Sequence, residues 1–374
     1  MQPPIVTFRL KVKKVFDVIR EMLMIRMLVV AMAPLALAGK VQWAGANLFG
    51  LANDVSIFGS AYTSFVSSKC EPTFDSYPFF DDLSHYESWK KEGFNLFRIA
   101  IAWQHAQINL GGALNETNMQ HVDKLVGAIT SDGGKAILDI HNYARWYCCI
   151  IGQPGNSFQN PTINVTNAHF TGLWVKLATR YQSNPHVIFQ LMNEPHDLDI
   201  LQWGETNQEA ILGIRNVAPN NTILVSGTQF ARLTDWKEFS MAGIGPGLLN
   251  DPADKLMFDF HQYFDGIGGA YGLCEPWSGY YEDFQQVTDI LRRAGAQGML
   301  TEFGGGPFQQ CEQTLRHMLA FLDRNSDVWH GWTAWGSFNK GSDLYLSLER
   351  NSTFYKMTSV IKQFAPRSSS RDRR

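Results

Sequence analysis

From residue 41 onward the chain repeats one pattern: a short apolar run, then a segment whose apolar positions recur at helical spacing. The runs expected to be strands are Val41–Ala44, Phe94–Ile99, Ala136–His141, Val187–Met192, Thr222–Val225, Leu256–His261, Met299–Glu302 and Trp332–Trp335. Between them, Phe170, Leu173, Trp174, Leu177, Ala178 and Tyr181 fall on one face of a helix. Phe284, Val287, Ile290, Leu291 and Ala294 repeat that face, and Gly295 and Gly298 are expected to supply its stop and the following turn. Alternation of this kind predicts a parallel sheet, and eight strands can close it. No G-x-G-x-x-G follows a strand and no Walker loop occurs, so a single α/β catalytic domain, a (β/α)8 TIM barrel over residues 39–366, is preferred to an open nucleotide-binding sheet. The stretch 53–86 lacks periodicity and reads as an elaborated loop.

Both ends read as appendages. Residues 1–38 carry Arg9, Lys11, Lys13, Lys14, Arg20 and Arg26 against Asp17 and Glu21, followed by an apolar run from Met27 to Ala38. That run is too short to span a bilayer and ends Ala36-Leu37-Ala38, the form of a secretory signal and its cleavage site. Residues 367–374 form a basic tail expected to be disordered. Secretion is therefore expected, with sequons at Asn115, Asn164, Asn220 and Asn351 as glycosylation candidates.

With 45% hydrophobic residues among 374 the chain can bury a large core, which excludes intrinsic disorder. A net charge of −3 offers no general attraction to nucleic acid or anionic membrane. A neutral substrate and a monomer are expected, with no nucleic-acid or membrane partner. Five cysteines, Cys70, Cys148, Cys149, Cys274 and Cys311, are too few for a disulfide scaffold, and no C-x-x-C suggests zinc. No G-x-S-x-G or H-E-x-x-H is present to indicate a serine or zinc hydrolase, so no metal or cofactor is expected.

Several apolar runs end in polar groups: Arg98, His141 with Asn142, Asn193 with Glu194, His261 with Tyr263, and Glu302. In a barrel all carboxyl ends of strands open on one face, so these distant residues converge. Glu194 and Glu302, placed after strands four and seven, suit the paired carboxylates of retaining glycoside hydrolysis.

The segments Leu138-Asp-Ile-His-Asn-Tyr-Ala-Arg-Trp146, Ile150-Ile-Gly-Gln153, Met192-Asn-Glu-Pro-His-Asp197 and Thr301-Glu-Phe-Gly-Gly-Gly306 resemble the fungal-type endo-β-1,4-glucanases (cellulases) of glycoside hydrolase family 5. The resemblance implies an enzyme acting on β-glucan polysaccharide, with Glu194 as general acid/base, Glu302 as nucleophile and Asn193 donating to the sugar 2-hydroxyl. It implies that Arg98 and Tyr263 orient Glu302 and keep it ionised, that His141 and His261 hold donors around the ring, and that Trp335 stacks on the sugar. Trp146 and Trp203 are candidates for further subsites. Cys274 and Cys311 match positions that are paired in the family, whereas Cys148 and Cys149 stand where glycine is expected. The linker and cellulose-binding module often attached to such enzymes are absent from this sequence. Mannan, mixed-linkage glucan or xyloglucan remain alternative polymers on the same barrel, and an inactive carbohydrate-binding barrel is the alternative of a different class.

Overall fold

The computed structural model describes residues 39–51, 83–154, 163–266, 272–337 and 356–366. The expected signal segment, the tail, Cys70, Asn351 and most of the 53–86 stretch lie outside the described residues. Eight parallel strands, β1 (Trp43–Leu51), β2 (Leu96–Ile101), β3 (Lys135–Ile140), β4 (Val187–Gln190), β5 (Thr222–Ser226), β6 (Leu256–His261), β7 (Gly298–Glu302) and β8 (Trp329–Ser337), close into a barrel. Each strand neighbours the next in sequence and β8 pairs with β1, the (β/α)8 order expected. Helices α1 (Ser84–Lys91), α2 (Glu116–Ser131), α3 (Asn167–Tyr181), α4 (Ile200–Arg215), α5 (Leu233–Phe239), α6 (Tyr281–Ala294), α7 (Gln309–Arg324) and α8 (Lys356–Ile361) alternate with the strands. Among the described residues no helix is long and apolar enough to cross a membrane.

The helices form where periodicity places them. All six residues expected on the inner face of α3 are buried, and its first turn is closed by a capping box between Thr166 and His169. Gly295 stops α6 in the left-handed region, at φ 67°. Gly298 makes no turn: it is the first residue of β7, where a Cβ would press on Phe260, Leu291 and Trp329. Gly45 is needed more severely, since a Cβ there would stand 1.6 Å from the Leu96 carbonyl oxygen of β2.

Side chains alternate in and out along each strand. Phe97, Ile99, Leu138, Phe189, Val225, Phe258 and Leu300 belong to the large core shared with the helices. Leu96, Ile137, Ile188, Leu224 and Met299 form a separate apolar cluster, with Trp43 and Met257 packed against it. Two residues further along the same strands stand Arg98, Asp139, Gln190, Ser226, Asp259 and Thr301, all buried. The barrel interior therefore changes from apolar to polar partway up, and the polar layer supports what stands at its carboxyl-terminal mouth.

Candidate active site

Arg98 is the hub of the polar layer. Its guanidinium is fully buried and donates through Nε to Gln190 Oε1 (2.5 Å), through Nη1 to Asn47 Oδ1 (2.8 Å) and Glu302 Oε1 (2.6 Å), and through Nη2 to Asn193 Oδ1 (2.7 Å). Nη2 also lies 3.0 Å from Asp139 Oδ2. Burial of the cation is opposed by Asp139, Glu302 and Asp259, which together hold its pKa above its ordinary value. Five side chains from four strands and the segment after β4 are thus oriented by one residue in the middle of β2.

Glu302 ends β7, and its second oxygen accepts from the Tyr263 hydroxyl at 3.1 Å. Glu194 lies four residues beyond the end of β4, in left-handed backbone at φ 43°, a costly conformation for a residue with a Cβ. Its Oε1 lies 2.7 Å from His261 Nδ1, and Nε2 of the same ring lies 3.1 Å from Thr301 Oγ1. One oxygen of Glu194, one oxygen of Glu302 and a ring nitrogen of His261 lie within 4.8 Å of one another. Of His, Cys, Asp and Glu groups among the described residues, these three are the set compact enough to surround an ion; their hydrogen bonds to one another, to Arg98 and to Tyr263 already account for their placement.

The two carboxyl groups differ in environment. Burial pushes Glu194 up to about 7, with His141 and Arg98 pulling it back and Asp259 and Asp139 adding to the rise. Burial also raises Glu302, offset by His261 and Arg98. Two carboxyls this close bind protons as a pair. Glu302 already receives donors on both oxygens, so the shared proton belongs on Glu194. The side chain of Glu194 is also the more accessible, 16% against 4% for Glu302. The arrangement offers an anionic oxygen held by fixed donors beside a carboxylic acid, the pair needed for nucleophilic attack and proton donation at one acetal carbon.

Asn193 is buried beside this pair. Arg98 can only donate, so the amide must present Oδ1 to it, and Nδ2 is left buried with no partner. A buried donor without a protein partner is one that an ordered water or a ligand's oxygen can satisfy. His141 Nδ1 lies 2.7 Å from Asp139 Oδ2. That contact anchors the ring through Nδ1, which donates to the Asp139 carboxylate. Trp335, half-buried at the end of β8, stacks on the His141 ring with centroids 5.6 Å apart and planes at 12°.

Three expectations are corrected. Asn142 does not face a substrate: Oδ1 accepts from the Trp103 backbone at 2.6 Å and Nδ2 donates to Gln104 Oε1 at 2.9 Å, so its amide ties the loop after β3 to the loop after β2. Trp203 is fully buried on α4 and donates to the Ser226 carbonyl. Trp146 is buried edge-on against Trp103. Neither tryptophan presents a face for a sugar.

Cys274 and Cys311 form the expected disulfide, joining the loop after β6 to the first turn of α7. Cys148 is disulfide-bonded too. Tyr147 and Cys148 are the turn of a hairpin in which Arg145–Trp146 pairs with Cys149–Ile150. Both turn residues have positive φ, 43° and 66°, which accounts for the glycine expected at Cys148; Cys149, where glycine is also expected, is paired with Trp146 in the hairpin.

Several site residues have no strong mark in the sequence. Asn47, Asp139, Gln190 and Asp259 are single polar letters inside apolar runs, legible as inward positions only once the barrel is closed. Tyr143 lies within a recognised motif but no role was expected for it. Its ring meets those of His141 and His196, and burial together with Glu194 and Glu302 raises its hydroxyl well above the ordinary value.

Comparison with known proteins agrees with this geometry. The chain is 34% identical over 310 residues to endoglucanase EG-II of Hypocrea jecorina, covering 79% of this chain and 70% of the relative. The solved structure of Cel5A (EG2) from Hypocrea jecorina superposes with a TM-score of 0.74 at 32% identity, covering 88% of this chain and 100% of that one. The structure of XacCel5A in complex with cellopentaose gives 0.73 at 27% identity, covering 87% and 99%. The profile of the cellulase family, glycosyl hydrolase family 5, matches residues 62–338, and the chain belongs to that family.

Proposed function

We propose that the protein cleaves internal β-1,4-glucosidic bonds of cellulose and related β-glucans with retention of anomeric configuration. The observation that carries this reading is the approach of Glu194 and Glu302 within 4.8 Å at the barrel mouth, each held by different partners. Inverting enzymes need more room between the carboxyl groups to admit a water. In this reading Glu302 attacks the anomeric carbon while Glu194 protonates the departing oxygen. Glu194 then takes a proton from water as the glycosyl ester is hydrolysed. Arg98 and Tyr263 fix the attacking oxygens of Glu302. Asn193 Nδ2 donates to the 2-hydroxyl, and Trp335 offers its face to the pyranose C–H groups. Reading the polymer as a β-1,4-glucan is supported by the names of the relatives, since loops rather than the carboxylate pair select among polymers.

Action outside the cell is the accompanying reading. It is supported by the apolar run ending at Ala38 and by cysteines joined in disulfides, which persist in oxidising compartments.

The test is a substrate panel followed by proton NMR of the first products. Carboxymethylcellulose and barley glucan are expected to yield reducing ends faster than glucomannan, with the β-anomer formed first. Initial α-anomer would reject the retaining mechanism. Oligosaccharide binding without any release of reducing ends would favour an inactive binding barrel.

A further inference from the structure

The hydrogen bonds below Glu194 have a direction that can be worked out from Arg98. A guanidinium has no acceptor, so its Nε donates to Gln190 Oε1, and Gln190 must then donate through Nε2 to Asp259 Oδ2, 2.6 Å away. Thr301 Oγ1 donates to Asp259 Oδ1, while the one proton of Ser226 Oγ is divided between Asp259 Oδ2 and the Met192 carbonyl, 2.7 and 2.6 Å away. Asp259 thus accepts on both oxygens, from Gln190 on Oδ2 and from Thr301 on Oδ1. The single hydroxyl proton of Thr301 is therefore committed to Asp259. What Thr301 leaves for His261 Nε2, at 3.1 Å, is a lone pair.

Resting on the functional reading above, we propose that Thr301 and Asp259 are positioning residues that lock His261 in the tautomer protonated on Nε2, so that Nδ1 accepts from the Glu194 carboxyl and cannot donate to it. Burial favours a neutral His261 ring. A neutral ring of this tautomer has a lone pair on Nδ1, and the 2.7 Å contact to Glu194 Oε1 then requires the proton to come from Glu194. The lock keeps the acid loaded. When the C1–O bond breaks, its electron pair stays on the departing oxygen, which takes the Glu194 proton as Glu302 bonds to C1. The Glu194 carboxylate then faces a lone pair, not a donor, and stays basic. It removes a proton from water as the water oxygen bonds to C1 and the ester bond returns its electron pair to Glu302.

The other charged or titratable groups around this pair are Arg98 on β2, Asp139 on β3, His141 and Tyr143 just after it, Tyr263 after β6 and Glu302 on β7. None is altered by replacing Thr301. In Thr301→Val the hydroxyl is gone, the ring is free to carry its proton on Nδ1, and donation to the Glu194 carboxylate stabilises the anion. The basic limb of kcat/KM is then expected to move about one unit or more to lower pH, while Thr301→Ser keeps the limb of the unsubstituted protein. A Thr301→Val limb that stays in place, with only kcat reduced, would overturn the proposal. A second measurement needs no variant of Thr301. In the 15N spectrum of the unsubstituted protein, with the His261 ring assigned by its loss in His261→Gln, the proton is expected on Nε2 below the basic limb; a proton on Nδ1 would overturn the lock. Absence of cleavage on every glucan would defeat the functional reading alone, because the ring spectrum decides the tautomer regardless of turnover.

Discussion

Glu194 is a carboxyl group whose surroundings penalise its charge. Its pKa is pushed up to about 7 by burial, so it is protonated below that pH and able to act as an acid. Since the productive form is the protonated one, kcat/KM should fall as pH rises through about 7, and this limb should vanish in Glu194→Gln. The substitution should cost roughly 10²- to 10⁴-fold on cellulose and far less on an aryl glycoside whose leaving group needs no proton. Equal loss on both substrates, or persistence of the basic limb, would remove Glu194 from the acid role. The sequence pointed to this residue because a charge closing an apolar run is costly without a use. Asp259 and Gln190 carry no such mark: Asp259 raises Glu194 through its charge and reaches His261 through Thr301, and Gln190 ties Asp259 to Arg98.

At the scale of elements, the strand positions followed from apolar runs to within a few residues, except at β1, which continues to Leu51, well past the run expected to end at Ala44, and at β8. The expected run began at Trp332, whereas β8 starts at Trp329, because His330 and Gly331 interrupt the apolar pattern without breaking the ladder. What the runs hid was their inner alternation: Arg98, Asp139 and Asp259 are inward positions in the body of their strands, not at the ends. Loop geometry was hidden for a different reason. The hairpin that turns through Tyr147 and Cys148 uses left-handed backbone without glycine, and Cys148 is held there by a disulfide. The Cys274–Cys311 link spans 37 residues between the loop after β6 and α7. Replacing both cysteines with serine should lower unfolding stability by about 2–4 kcal/mol, read as a lower denaturant midpoint with a steeper slope, because the uncrosslinked chain unfolds to a less compact state. An unchanged midpoint would show that the two segments hold together without the bond.

For the whole molecule, the barrel brings carboxyl groups 108 residues apart in the chain to within 4.8 Å of one another. Its lower interior is apolar, its middle is a charged layer organised by Arg98, and its mouth carries the reacting pair. A retaining reaction at this pair joins Glu302 covalently to the sugar. Incubation with an activated 2-deoxy-2-fluoro-cellobioside, which slows hydrolysis of such an ester, followed by peptide mass spectrometry tests it most directly. One added fluorocellobiosyl group is expected on the peptide bearing Glu302, and none in Glu302→Gln. A protein that turns the reagent over with no adduct, or carries the label on any other residue, would contradict it.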